Sequence, residues 1–376
     1  MDKIKRLILV HVPISKCNLR CEYCYITLNK RWGAGSSEIT HNPRNIGRAF
    51  SKKRLGGTCF INMCPSGETL LLTNIVDILK NILEQGHFVE IVTDGTLSKK
   101  FIEITRLPES LLQRLTFKFS FHYLELKRLN KLETFFNNIK KVKAKGCSFT
   151  VEMTPYDKLE THIGDIKEIC MNELGALCHL TIARDDSKEG IPVFSKHTLS
   201  EYLDTWNQFE SNMLNFKAKI FQVKRKEFCY AGDWTAYVNL GTGTITKCYR
   251  AEKIGNIYEF SKPVKFEAVG KCPLPHCYNG HAFLSFGVIP NITTPTYADI
   301  RNRKCVDCSE WLNPAMKDFM SGKLIDNNIE YSNYKKRNVL CFTYIKRASN
   351  RMKLISRKLA KKLLTQNQID TIRGRN

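Results

Sequence analysis

Apolar residues in the first two hundred positions follow two alternating rhythms. Short, nearly solid runs occur at 5–12 (KRLILVHV), 58–63 (TCFINM), 88–93 (FVEIVT), 115–121 (LTFKFSF), 148–153 (SFTVEM) and 178–183 (CHLTIA). Runs of this length and type predict strands buried on both faces. Between them, near 42–54, 73–85, 99–113, 130–145 and 160–174, and again at 198–212, apolar residues recur at spacings of three and four. Ile75, Ile78, Leu79, Ile82 and Leu83 show the pattern, which predicts helices with one buried stripe. Six strand–helix pairs in series imply a parallel α/β architecture, either a full or partial barrel or a doubly wound sheet.

The rhythm breaks near residue 213. From 229 to 311 the chain is rich in Gly, Pro, aromatic residues and cysteine, and from about 313 its composition shifts again. Three units are therefore expected: 1–212, 213–312 and 313–376. The 376 residues are 43% hydrophobic, which suits a folded core and not a disordered chain. Lys and Arg number 59 against 36 Asp and Glu, leaving +23, a balance that favours polyanions. No run of about 18 apolar residues occurs, so no membrane span is expected. A cytoplasmic chain, peripheral to the membrane at most, keeps its thiols reduced. Its 15 cysteines then point to metal rather than to disulfides.

Three of them, Cys17, Cys21 and Cys24, fall within eight residues on the loop that follows the first strand. Active sites of β/α barrels are built at that end of the strands. Three thiolates can hold one corner of an iron–sulfur cluster and leave one iron open. A zinc knuckle or three buried structural thiols are the other readings, although zinc would want a fourth nearby Cys or His. The spacing C-x3-C-x2-C, with Tyr23 before the last cysteine, resembles the signature of the radical S-adenosylmethionine superfamily. The resemblance implies a partial (β/α)6 barrel and a 4Fe–4S cluster whose open iron chelates S-adenosyl-L-methionine. It further implies reductive cleavage to a 5′-deoxyadenosyl radical, hydrogen abstraction from a substrate, and a one-electron reductant of the flavodoxin or ferredoxin type.

The same resemblance assigns cofactor contacts. Ser66-Gly67-Glu68-Thr69 stands where the family carries Gly-Gly-Glu-Pro; Gly67 and Glu68 match, and Glu68 would accept from the methionine ammonium. A plain turn with a solvated acid is the alternative. Thr93-Asp94-Gly95 resembles the family's Thr-Asn-Gly stretch, so Thr93 would face the cofactor. On the fourth strand Ser120 and His122 share a face, and on the fifth Glu152 and Thr154 do. Arg184, just beyond the sixth, could hold a carboxylate through both guanidinium nitrogens or simply sit on the surface. Cys59, Cys64, Cys147, Cys170 and Cys178 are expected to be structural thiols. No residue stands out as catalytic acid or base.

Cys229, Cys248, Cys272, Cys277, Cys305 and Cys308 form a second group. Cys229 and Gly243 are separated by 13 residues, and Gly243 and Cys248 by four, which resembles the opening of the SPASM and twitch auxiliary-cluster modules. One auxiliary 4Fe–4S cluster on Cys229, Cys248, Cys272 and Cys277 is implied; Cys305 and Cys308 could join it, hold another, or stay free. Two close cysteine pairs suit zinc as well. Finally, residues 335–375 carry 13 Lys and Arg and one acid. Within 343–364, Ile345, Ala348, Met352, Ile355, Leu359 and Leu363 make one apolar stripe, suited to an anionic membrane surface or to packing on the protein itself. No RNA- or DNA-binding pattern accompanies it, so nucleic acid is not an expected partner. The substrate could be a cell-envelope saccharide or other membrane-proximal small molecule, or a peptide or protein side chain. A noncatalytic iron–sulfur or zinc protein that binds anionic partners is the reading from a different class.

Overall fold

The computed structural model describes residues 2–31, 39–249 and 252–363. Six parallel strands follow one another in chain order: β1 (Arg6–Val12), β2 (Cys59–Pro65), β3 (Phe88–Thr93), β4 (Leu115–Ser120), β5 (Ser148–Met153) and β6 (His179–Leu180). Helices cross between them, which gives the partial β/α barrel. Strand period two divides β1 between two cores. Ile8, Val10 and Val12 pack outward under the helices, and Leu7 and Leu9 pack inward. The stripe Ile75, Ile78, Leu79, Ile82 and Leu83 of helix Ile75–Leu83 is fully buried, as its spacing predicts.

The helix boundaries depart from the sequence pattern where capping and proline chemistry intervene. The stretch 99–113 is two helices, Ser98–Ile104 and Glu109–Leu112, because Pro108 cannot continue the first. The stretch 42–54 divides at Ser51 into Pro43–Ala49 and Lys52–Leu55. Only His179–Leu180 of the run 178–183 is paired as a strand, since the chain leaves the sheet after a last bond from Thr181 N–H to Met153 O at 2.9 Å. Helical structure also continues past 213, in helix Asn212–Ile220. Ser211 fixes its start: the hydroxyl oxygen accepts from Leu214 N–H at 3.2 Å and from Leu180 N–H of β6 at 2.8 Å.

The cysteine-rich region holds β7 (Phe228–Cys229), β8 (Thr235–Asn239), β9 (Thr244–Thr246), β10 (Lys253–Asn256) and β11 (Gly270–Lys271). Strand β8 pairs in parallel with β1, and β9 and β10 continue outward, so the sheet has nine strands in the order β10-β9-β8-β1-β2-β3-β4-β5-β6. Residues after 280 cover the concave side of the barrel. Phe60 packs against Phe286 at 5.2 Å and against Tyr297 at 5.5 Å between ring centroids. These aromatic contacts fasten the C-terminal segment over the inner face of the barrel strands. The helix Asn333–Leu363 is held at its start by buried Tyr331 and Val339. Beyond that, its described large apolar side chains are exposed, among them Phe342 at 71%, Ile345 at 62% and Met352 at 63%. The side chains of Leu359 and Leu363, and residues 364–376 of the basic tail, lie outside the described residues. No described helix is long and apolar enough to cross a membrane.

Candidate functional site

The loop leaving β1 is pinned by close backbone contact. A Cβ on Gly67 would stand 2.1 Å from Lys16 O, so only glycine lets the β2 loop approach this closely. The next residue completes the clamp, with Glu68 N–H donating to Lys16 O at 2.9 Å. Beyond it Cys17, Cys21 and Cys24 all line one large cavity of about 660 Å³. Leu19 N–H donates to Cys17 Sγ at 3.4 Å, and the Thr27 hydroxyl donates to Cys21 O at 2.8 Å. Tyr23 turns between the cysteines to meet His122 Nδ1 at 2.5 Å and to pack on Tyr156. Burial pushes the Cys17 thiol up to about 12, and it raises Cys21 and Cys24 as well. Three thiolates here need a bound cation to be stable, and an iron–sulfur core supplies that charge. The residues present fit such a group.

Glu68 is almost wholly inaccessible, and its oxygens are engaged. One accepts from Leu70 N–H at 2.9 Å and from the Thr93 hydroxyl at 2.7 Å; the other accepts from Asp94 N–H at 2.7 Å. Burial, with Asp94 beside it, holds the Glu68 carboxyl well above the usual carboxylate range. Asp94, also buried, has one oxygen occupied by Thr96 and the other without a hydrogen-bond partner. Thus Gly67 shapes the cysteine loop, Thr93 orients Glu68, and Asp94 adds a second acid to the same wall. The sequence pattern did not single out Asp94 as a site residue.

The cavity's other walls hold Ser120 and His122 from the end of β4, Glu152 and Thr154 from β5, and Arg184 beyond β6. Burial pushes His122 down to about 4, leaving it a neutral partner for Tyr23. Arg184 donates to Tyr278 O at 3.3 Å. Glu152 is paired with Arg301 at 2.5 Å and with Lys118 at 3.6 Å. Burial alone would raise its carboxyl, but Lys118, Lys217 and Arg301 together hold it well below the usual range.

Cys229, Cys248, Cys272 and Cys277 line a second, small cavity of about 30 Å³. Burial pushes both Cys248 and Cys277 up to about 12, with neighbouring cysteines adding to the rise. Tetrahedral zinc would draw its sulfurs to about 3.8 Å of one another, given Zn–S bonds near 2.3 Å. Among the described residues, only Asp157, Glu160 and His197 bring three ligand atoms within 4.8 Å. Cys277 and the neighbouring Tyr249 and Tyr278 line the large cavity as well as the small one.

No family model and no curated protein matches the sequence. Comparison of the fold returns solved structures at low identity. SuiB of Streptococcus suis, bound to S-adenosylmethionine, is 15% identical with a TM-score of 0.46, over 68% of this chain and 64% of that one. The chain therefore spans less than two thirds of SuiB. Native anSMEcpe with bound AdoMet is 14% identical with a TM-score of 0.44, over 70% and 80% of the two chains. BtrN in complex with AdoMet and 2-DOIA is 18% identical with a TM-score of 0.36, over 69% and 81%.

Cys305 and Cys308 line neither cavity. Cys305 is buried and donates to Leu174 O at 3.3 Å, and Cys308 is exposed. Cys59, Cys147, Cys170 and Cys178 are buried, whereas Cys64 faces the large cavity. Sequence reasoning missed Lys118, Lys217, His281 and Arg301. Lys118 carried a signal, an isolated cation two residues before Ser120 in an otherwise apolar strand. The other three come from segments without strand periodicity, and only the fold brings them to the barrel.

Proposed function

We propose that this chain is a radical S-adenosylmethionine enzyme with one auxiliary iron–sulfur cluster. One observation carries the reading. Cys17, Cys21 and Cys24, spaced C-x3-C-x2-C after the first of six parallel strands, open into the cavity that Ser120, His122 and Glu152 also line. When bound there, the reduced 4Fe–4S cluster supplies the electron that cleaves S-adenosylmethionine to a 5′-deoxyadenosyl radical. The chain's own residues hold and enclose: Gly67 fixes the cysteine loop, and Glu68 with Asp94 presents a buried acidic wall to the methionine ammonium. Arg184 is placed to meet a carboxylate. Cys229, Cys248, Cys272 and Cys277 hold the auxiliary cluster, and Cys305 and Cys308 stay free.

Anaerobic reconstitution followed by iron and sulfide analysis tests the reading. Wild type should produce 5′-deoxyadenosine on reduction, and Cys24→Ala should abolish it while keeping the auxiliary iron. Absence of labile sulfide in the wild type would end the enzyme reading in favour of a noncatalytic metal protein.

The substrate is a membrane-proximal small molecule, with a cell-envelope saccharide as the leading class and a peptide as the alternative. The exposed apolar residues of helix Asn333–Leu363, among its many Lys and Arg, support placement on an anionic membrane surface.

A further inference from the structure

Below the level of Ser120 the barrel interior is cationic. Lys118 comes from β4, Lys217 from helix Asn212–Ile220 and Arg301 from the segment that covers the barrel. One carboxylate, Glu152, faces all three. The other acid of this layer, Glu90, is fully buried and taken up by Asn62 and by the Tyr297 hydroxyl at 3.0 Å. Among the described residues, Lys217 has no carboxylate within salt-bridge distance, and its ammonium donates to the Thr181 hydroxyl. Arg301 is 1% exposed, and its Nε has no hydrogen-bond partner. A buried cation without a carboxylate of its own is costly, and in this layer Lys118, Lys217 and Arg301 outnumber the two carboxylates Glu152 and Glu90, which favours an anionic occupant.

We propose that Lys217 and Arg301, with Lys118, form a subsite for a single anionic group, a carboxylate or a phosphate, on the substrate. The site deepens the reading above by naming a chemical class: the molecule that loses a hydrogen carries its negative charge toward the layer of Lys118, Lys217 and Arg301. Glu152 keeps Arg301 and Lys118 in place between turnovers. Ser120 and His122 lie nearer the cysteine loop end of the strands, and Arg184 stands between them and Lys217. The inference rests on the radical-enzyme reading only in calling the ligand a substrate; the anion site itself depends on the three cations.

The test is isothermal titration of the reconstituted full chain with inorganic phosphate and with succinate, each with and without saturating S-adenosylmethionine. Wild type should bind at least one of the two saturably over a chloride background. Preference for phosphate or for succinate identifies the source of the charge. Lys217→Met should weaken that binding at least about tenfold, the loss expected for one charge-assisted contact, and Lys217→Arg should restore most of it. S-adenosylmethionine affinity should change less than twofold in both variants, and circular dichroism should show both folded. Saturable binding by neither anion, or binding indifferent to Lys217→Met, overturns the proposal. So does an equal loss of S-adenosylmethionine affinity, which would assign the cation to the cofactor. Anion binding in a chain that makes no 5′-deoxyadenosine would leave the site standing and remove the radical reading. The converse result would do the reverse.

Discussion

Lys217 is the residue whose environment most directly shapes ligand binding. Burial pushes its ammonium down to about 7, with Glu152 opposing the fall and Lys118, Arg184 and Arg301 adding to it. Neutral His281 also faces this group. Below pH 7 Lys217 is charged and above it increasingly neutral. Affinity for succinate, which is already fully ionised there, should therefore fall as pH rises through 7, and Lys217→Arg should flatten that profile. A second residue-scale effect concerns stability. His87 is fully buried, accepts from Cys59 N–H at 3.1 Å and bonds to Phe50 O at 2.5 Å, an arrangement that requires the neutral ring. Burial holds it at about 4, below its unfolded value of 6.5. The unfolded chain thus binds the proton first, so stability is complete above 6.5 and is lost as pH falls toward 4. The loss is of order 3 kcal/mol, and chemical denaturation across that window should show it, with His87→Gln reducing the slope.

At the scale of elements, the two loops that meet at Gly67 matter most. Gly67→Ala would force the Lys16 backbone aside, costing about 2 kcal/mol or more. Because that backbone leads straight into Cys17, the variant should reconstitute with less iron on the first cysteine set and unchanged iron on the second; Mössbauer counting decides it. Replacing Cys229 and Cys248 with Ser should do the opposite, while Cys305→Ala with Cys308→Ala should leave the iron count untouched. The strands were legible in sequence for a physical reason: parallel strands buried on both faces need solid apolar runs, and β1 to β5 supply them. β6 was overread, since the apolar run continues to Ile182 while its ladder stops at Leu180. The pairing of β8 with β1 was not legible, because a five-residue strand carries no mark of which edge it will join. For the same reason the first cysteine set could be read from local spacing, whereas Lys217 and Arg301 needed the fold to bring them to β5.

On the scale of the whole molecule, charge and shape separate two ends. The barrel holds the cavity, while the helix Asn333–Leu363, whose sequence is rich in Lys and Arg, exposes Phe342, Ile345 and Met352. A chain ending at residue 341 keeps the anchoring Tyr331 and Val339 and should retain wild-type thermal stability. Vesicle sedimentation should show the full chain bound to membranes containing anionic lipid and largely free of neutral ones, and the shortened chain bound to neither. Recovery of both forms equally in the supernatant would reject a membrane role for the helix.

The shared wall at Cys277 has a thermodynamic consequence. Cys277 lines both the small cavity and the large one, so a cluster it ligates would feel whatever charge enters next door. Binding and reduction are then two sides of one cycle: an anion that makes the cluster harder to reduce must itself bind less tightly once the cluster is reduced, by the same factor. A midpoint potential of the auxiliary cluster, measured with and without ligand, would report whether an anion occupies the neighbouring cavity.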